Sequence, residues 1–485
     1  MAAVTLQEVL SATGGRVVYE NADNRVFTGV SIDSRTIGAG ELFVALKGQR
    51  FDGHDFLKDA MEKGRGAVVS DAPAVPVRRK TIIQVESTLK ALQAIARSMR
   101  IRRRLAVVGI TGTNGKTTTK ELVASIMGKK HRVMRNAGNL NNQIGLPLSL
   151  TRGEENDEFA IMEMGASANG DIRELCEVAL PDYGIITNIG PAHLEGFGSL
   201  EKVRETKLEL FDAVRTIVLN ADDLFLMEGV SRKAGGKKPE VITFGIERSA
   251  DVFARDIVLE SRRSVFTLCL AGGCSEVAIH INGRFNIYNA IAAAALCHRL
   301  GVGLEDIKAG LESFTGVPMR LELKQFSGSL VISDVYNANP ASMEEAVREL
   351  IRLRKDRAVA VLGDMFELGE YADEAHRKLG RWMAGLPVDV FIAVGEMMAK
   401  AAEEFSAARK ERSAFLRESG QVLTAPDSTS AGKLLSSLCQ RGDTILLKGS
   451  RGMHMERALE QDNGTSSACL RENTPGPLRK TKNAL

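Results

Sequence analysis

The sequence predicts an α/β protein built on parallel sheets, and three observations predict it. Short β-branched runs alternate with helix-forming stretches along most of the 485 residues, the rhythm of strand-helix-strand units. The later runs end at polar or glycine positions, as they do where strand C-termini build a binding crevice. One run, Val107–Thr111, feeds the glycine-rich turn Gly112–Gly115 and then the helix-forming segment Glu121–Met127. Typical domains hold about 100 to 200 residues, so a chain of this length is expected to form roughly three.

Residues 1–100 mix short strands such as Leu42–Leu46 with helical stretches such as Leu89–Met99 and form the expected first domain. The basic cluster Arg102–Arg104 reads as a solvated boundary. Residues 101–318 form the second domain, with strand-like runs at Phe159–Met162, Tyr183–Ile186, Thr216–Leu219 and Val241–Phe244 and a helical run from Leu200 to Phe211. Within it, Ser264–Leu270 alternates like a half-buried strand and stops at Ala271-Gly272-Gly273, which suggests an antiparallel excursion over 251–285. The third domain, 319–463, repeats the α/β rhythm at Val331–Asp334, Ala358–Gly363, Val390–Gly395 and Thr444–Gly449. The tail, 464–485, offers little to pack and is expected to be disordered.

Composition narrows the class. Hydrophobic residues at 44% and charged residues at 26% exclude a disordered chain. Balanced charge, 64 basic against 61 acidic residues, gives no nucleic-acid footprint. Cys176, Cys269, Cys274, Cys297, Cys439 and Cys469 contain no Cys-x-x-Cys pair, so free thiols in a reducing compartment are expected. No run reaches the roughly 18 apolar residues of a membrane span, and the N-terminus lacks the basic-then-apolar order of a signal peptide. A cytoplasmic protein with no stable membrane insertion is the resulting expectation.

The strand-loop-helix around residue 112 carries the chemistry. Backbone N–H groups of Gly112, Thr113, Asn114, Gly115, Lys116, Thr117 and Thr118 can cradle phosphates at a helix N-terminus, Lys116 can reach the outer phosphates, and Thr117 can offer its hydroxyl to magnesium. Consensus spacing would put a glycine at Ile110, whereas Gly109 lies one residue earlier. A nucleoside triphosphate site remains the reading. Glu163 directly follows a strand-like run, at the mouth of the sheet beside this loop. His193, after a strand and a Gly-Pro turn, is either a metal ligand or a surface-loop histidine. Lys207, on periodicity alone, is a solvated helix position.

Motifs in series change that balance. Asp33–Thr36, Gly48–His54, Gly112–Thr117, Gly138–Gly145, Glu163–Gly165, Asn188–Glu195, Thr206-Lys207 and Asn286–Asn289 occur in an order that resembles the Mur ligases. The resemblance runs from Ser31 to about Glu456 and accounts for the displaced glycine, which is the family's own habit. Tyr336–Met343, Leu362–Gly369 and Lys448–Met453 look like the dipeptide-adding branch, and the Asp-Asn-Pro-Arg signature of the diaminopimelate-adding branch is missing. Ser333-Asp334-Val335 stands where the family often has Asp-Asp-Ser.

The resemblance implies a three-domain Mur ligase architecture: an N-terminal UDP-substrate-binding domain, a central P-loop ATPase domain with a parallel sheet, and a C-terminal Rossmann-like domain. It implies an ATP-dependent amide ligase of peptidoglycan synthesis acting on UDP-N-acetylmuramoyl-tripeptide and D-alanyl-D-alanine, with ATP and Mg2+ as cofactors, working as a monomer. Catalytic roles would fall to Lys116, Glu163, His193 and Lys207, and metal binding to Thr117, Glu163, His193 and a carbamylated Lys207. Asn286 and Asn289 would lie toward adenine, and Arg320 and Asp334 toward phosphate and ribose. Ser34, Arg35, Asn142, Asn337 and Asn339 would bind substrate. A ligase adding diaminopimelate or lysine, a folate-polyglutamate relative and a non-catalytic ATP-binding regulator are the alternatives.

Overall fold

A computed structural model describes residues 2–48, 51–74, 77–233, 238–413 and 420–460. The tail expected to be disordered, 464–485, Cys469 within it, and Gln49-Arg50 of the motif at 48–54 lie outside the described residues.

Three larger sheets organise the chain. Near the N-terminus, five strands run in the order Arg16–Tyr19, Thr81–Gln84, Gly66–Val69, Leu42–Val44, Val30–Ser31. Only the first of these is antiparallel to its neighbour. A small antiparallel pair, Val4–Thr5 with Val26–Phe27, lies beside it.

The central sheet has nine strands, and Ala106–Thr111 sits between Tyr183–Ile186 and Phe159–Glu163, parallel to both. The chain winds from this strand to one side through Val133–Arg135 and Phe159–Glu163, then crosses to the other side at Tyr183–Ile186. That reversal opens a crevice at the C-terminal end of Ala106–Thr111, where open α/β sheets bind ligands. The loop of interest begins there. The far edge is the expected antiparallel excursion, Val252–Leu259, Ser264–Leu270 and Gly273–Ile279.

The third sheet orders Glu322–Phe326, Ser329–Asp334, Thr444–Lys448, Ala358–Gly363, Val390–Val394 and Gln421–Ala425, all parallel except the first pair. Its core includes Phe391 and Phe405, both fully buried, with ring centroids 5.5 Å apart at 64°, an edge-to-face contact.

One helix does most to fix the site. Arg284–Arg299 is alanine-rich, and Ala290 and Ala292–Ala295 are buried against the central core, so the small side chains let it lie close to the phosphate-loop helix Lys116–Met127. No helix among the described residues is long and apolar enough to cross a membrane.

Three expectations are corrected. Cys269 and Cys274 are not free thiols: the two-residue turn Ala271-Gly272 makes them direct cross-strand partners, and they form a disulfide. Cys176, Cys297 and Cys439 are free. The helical run Leu200–Phe211 is two helices, Leu200–Lys207 and Glu209–Ala213, broken at Leu208. The cluster Arg102–Arg104 is not wholly solvated, since Arg103 is buried and its guanidinium donates to the Leu150 carbonyl. Arg102 binds Glu8 and Glu155.

Candidate functional site

A cavity of about 720 Å³ opens between the central sheet and the third sheet. Its floor is the loop after Ala106–Thr111. Gly112 has φ +145°, and a Cβ there would lie 1.9 Å from the Thr187 hydroxyl. Gly115 has φ +84° and faces Asn289, whose Oδ1 would stand 2.2 Å from an added Cβ. Both glycines are required by close approach as much as by backbone angle.

The loop is tied to its neighbour strand-end. Thr113 N donates to Asn188 O at 2.9 Å, Asn114 N to Asn188 Oδ1 at 3.0 Å, and Thr113 exchanges hydrogen bonds with the Gly190 backbone. Asp223 holds the same neighbour by accepting from Ile189 N at 2.6 Å, and burial pushes its carboxyl up. Lys116 begins the helix, and its Nζ donates to Gly112 O and Thr113 O at 2.9 and 3.0 Å. Desolvation lowers its ammonium pKa; nearby Glu163 opposes that shift and Arg320 adds to it.

Glu163 is the last residue of its strand and is 3% exposed. Thr117 Oγ1 donates to its Oε2 at 2.7 Å and Asn141 Nδ2 to its Oε1 at 2.8 Å. Asn136 brackets its backbone, accepting from Glu163 N and donating to Glu163 O, both at 2.9 Å. These asparagines aim the carboxylate, and Asn136 was missed by sequence reasoning because a lone loop asparagine carries no motif. Arg320 reaches from the third sheet's side, Nη2 donating to Thr117 Oγ1 at 3.0 Å, with its guanidinium 4.1 Å above the Tyr336 ring.

Lys207 overturns the periodicity reading. It is 3% exposed, it lines the cavity, and burial followed by the Lys116 charge holds its amine well below the usual lysine range. Lys207 is the last residue of its helix, and its side chain is buried rather than set on a solvated face. His193 also lines the cavity, its Nδ1 2.6 Å from Glu367 Oε2.

The remaining candidates divide. Asn286 and Asn289 line the cavity but are bonded to each other and inward: Asn289 Nδ2 donates to Asn286 Oδ1 at 3.0 Å, and Asn289 Oδ1 accepts from Thr119 at 3.3 Å. The apolar wall beside them, Ile281, Phe285, Tyr288 and Phe314, was not anticipated. Asp334 lines the cavity and pairs with buried Lys448 at 2.5 Å. Asn339 caps its helix through Ser342 N and donates to Asn114 Oδ1 at 2.8 Å, so it touches the phosphate loop. Asn142 caps the turn into Gly145, Asn337 O accepts from Lys448, and both line the cavity. Ser34 and Arg35 do not reach it; Arg35 is solvent-facing and bound to Asp33, which it holds down at about 2.

Among the described residues no group of three or more His, Cys, Asp and Glu side chains is placed to hold a metal. The oxygen pair of Thr117 and Glu163 suits a hard cation such as magnesium, which takes few protein ligands and keeps waters and phosphate oxygens.

Three family descriptions match the chain: Mur ligase family, catalytic domain, over residues 26–100; Mur ligase middle domain, over 110–297; and Mur ligase, glutamate ligase domain, over 319–451. The UDP-N-acetylmuramoyl-tripeptide–D-alanyl-D-alanine ligase of Bacillus subtilis (strain 168) is 34% identical over 463 residues, covering 94% of this chain and 97% of that protein. A crystal structure of MurF from Acinetobacter baumannii superposes with a TM-score of 0.85 at 31% identity, covering 94% and 98% of the two chains. MurF ligase from Thermotoga maritima in complex with ADP superposes at 0.76 with 30% identity, covering 89% and 96%.

Proposed function

This chain belongs to the Mur ligase family, and on that premise we propose that it joins D-alanyl-D-alanine to UDP-N-acetylmuramoyl-tripeptide at the expense of ATP. The observation that carries this is the meeting of Lys116, Thr117, Glu163 and Arg320 around one glycine loop in one cavity. Full-length likeness to relatives bearing that activity in their names supplies the substrates.

A carboxylate oxygen of the tripeptide attacks the γ-phosphorus, the bond to ADP breaks, and an acyl phosphate forms. The amine of the dipeptide then attacks the acyl carbon, loses a proton, and expels inorganic phosphate with one former carboxylate oxygen. Several anions must approach one another, so the loop amides, Lys116 and Arg320 offset their charge. Magnesium, held by Thr117 and Glu163 with His193 and Lys207 nearby, would add further charge neutralisation to the phosphates. The contacts Arg320–Thr117 and Asn339–Asn114 draw the third sheet's side over the loop and exclude water from an intermediate that water would destroy.

Lys207 is carbamylated in this reading. Carbon dioxide reacts with a neutral amine, and burial together with Lys116 favours that form; the product is an anion that a cation site accepts, whereas an ammonium would oppose it. A mass increase equal to carbon dioxide on the Lys207 peptide is expected under preserving conditions. In this reading 1–100 is the UDP-substrate-binding unit, 101–318 the ATP-binding P-loop unit and 319–463 the Rossmann-like ligase unit, with Ser34 and Arg35 serving the uridine side. In this reading the chain works in the cytoplasm as a monomer.

A panel of amine acceptors with product mass analysis tests the assignment. D-alanyl-D-alanine should give product; turnover with diaminopimelate, lysine or glutamate in its place would overturn it. The diaminopimelate-adding and folylpolyglutamate relatives share the fold at 18% and 16% identity.

A further inference from the structure

Resting on the reading of the cavity as a magnesium–triphosphate site, we propose that Glu367 is a positioning residue: reaching across from the third-sheet unit, it orients His193 so that Nε2 is left for the cavity. The two residues come from different units of the chain and meet at 2.6 Å, Glu367 Oε2 to His193 Nδ1. The backbones meet as well, Glu195 N donating to Glu367 O at 3.3 Å.

Both loops are bent to make this contact. His193 has φ +52° and Glu367 φ +63°, the left-handed region that side chains other than glycine rarely adopt. Two residues on, Gly369 has φ +56°, and a Cβ there would sit 3.2 Å from the Glu195 Cα. Two left-handed non-glycine residues thus face each other across the junction, and the contact they make holds both loops in that conformation.

Stability does not explain the pair. The Glu367 side chain is 59% exposed and that of His193 32%, and exposed ion pairs contribute little. Orientation does explain it. A carboxylate oxygen 2.6 Å from Nδ1 favours a proton on that nitrogen, the tautomer that leaves the Nε2 lone pair to accept or ligate. Nε2 makes no hydrogen bond among the described residues, and both residues line the cavity.

The test uses the full chain with ATP, magnesium and both peptide substrates. Glu367→Ala should lower kcat about 10- to 100-fold, the usual cost of losing such an outer partner, with little change in the KM of the tripeptide and no change in melting temperature. Glu367→Gln keeps an acceptor oxygen for Nδ1–H and should recover most of kcat. Histidine 15N spectra, with His193 assigned by its loss in His193→Asn, should show the Nδ1–H tautomer in the unsubstituted protein and the Nε2–H tautomer in Glu367→Ala. An Nε2–H tautomer in the unsubstituted protein would overturn the proposal, as would a Glu367→Ala protein with unchanged kcat and tautomer. Should Glu367→Ala fail to fold, the tautomer of the unsubstituted protein still decides. If the cavity reading itself fails, the unsubstituted protein makes no amide, while the spectra report on Glu367 regardless.

Discussion

Gly115→Ala tests whether the phosphate loop depends on its packing against Asn289. The new Cβ meets Asn289 Oδ1 at 2.2 Å and Cγ at 3.1 Å, at a φ of +84°. The left-handed backbone alone costs about 1–2 kcal/mol for an L side chain. Asn289 is 4% exposed and held by Asn286 and Thr119, so moving it breaks both bonds, at about 0.5–1.5 kcal/mol each. The sum is roughly 2–5 kcal/mol, and at about 2–4 °C per kcal/mol for a unit of 150–250 residues the central transition should fall by roughly 4–20 °C in calorimetry. Asn289→Ala removes the obstacle in advance, so the double variant should be less destabilised than the sum of the singles by roughly 1–3 kcal/mol, a non-additivity expected of touching residues. A Gly115→Ala transition unchanged in temperature, or strictly additive effects, would refute the packing argument.

Lys116→Ala should leave melting temperature unchanged and abolish ATP-dependent amide formation, because its Nζ bonds only loop carbonyls and faces the cavity; normal turnover in a coupled phosphate assay would contradict the loop assignment. His376 is fully buried, accepts from Met365 N at 3.0 Å, and burial lowers its pKa. The unfolded chain, with an ordinary histidine near 6.5, therefore binds the proton first as pH falls. Stability is full above that value and is lost as pH drops from about 6.5 toward the native pKa. His376→Gln should flatten this part of the melting-temperature profile of the third-sheet unit, and an unchanged slope would be the contrary result.

Tyr183–Ile186 and Ala358–Gly363 were legible because buried parallel strands are continuous apolar runs, and antiparallel Ser264–Leu270 because its residues alternate. The glycine loop was legible because its backbone angles demand glycine at Gly112 and Gly115. Lys207 was not, since periodicity reports which face of a helix is apolar and says nothing about a cavity beyond its last turn. The disulfide escaped because the separation of Cys269 and Cys274 becomes contact only once the turn between them sets the register. Asn286 and Asn289 line the cavity, but their bonding to each other and to Thr119 depends on how two helices pack, which the local sequence does not contain.

The central claim is that a carboxylate of the tripeptide is phosphorylated from ATP at the 112–117 loop before the amine attacks. Tripeptide labelled with 18O in its terminal carboxylate, incubated with the protein, ATP, magnesium and D-alanyl-D-alanine, measures this directly. One labelled oxygen should appear in inorganic phosphate for each amide bond formed. Amide formation accompanied by unlabelled phosphate would contradict the account.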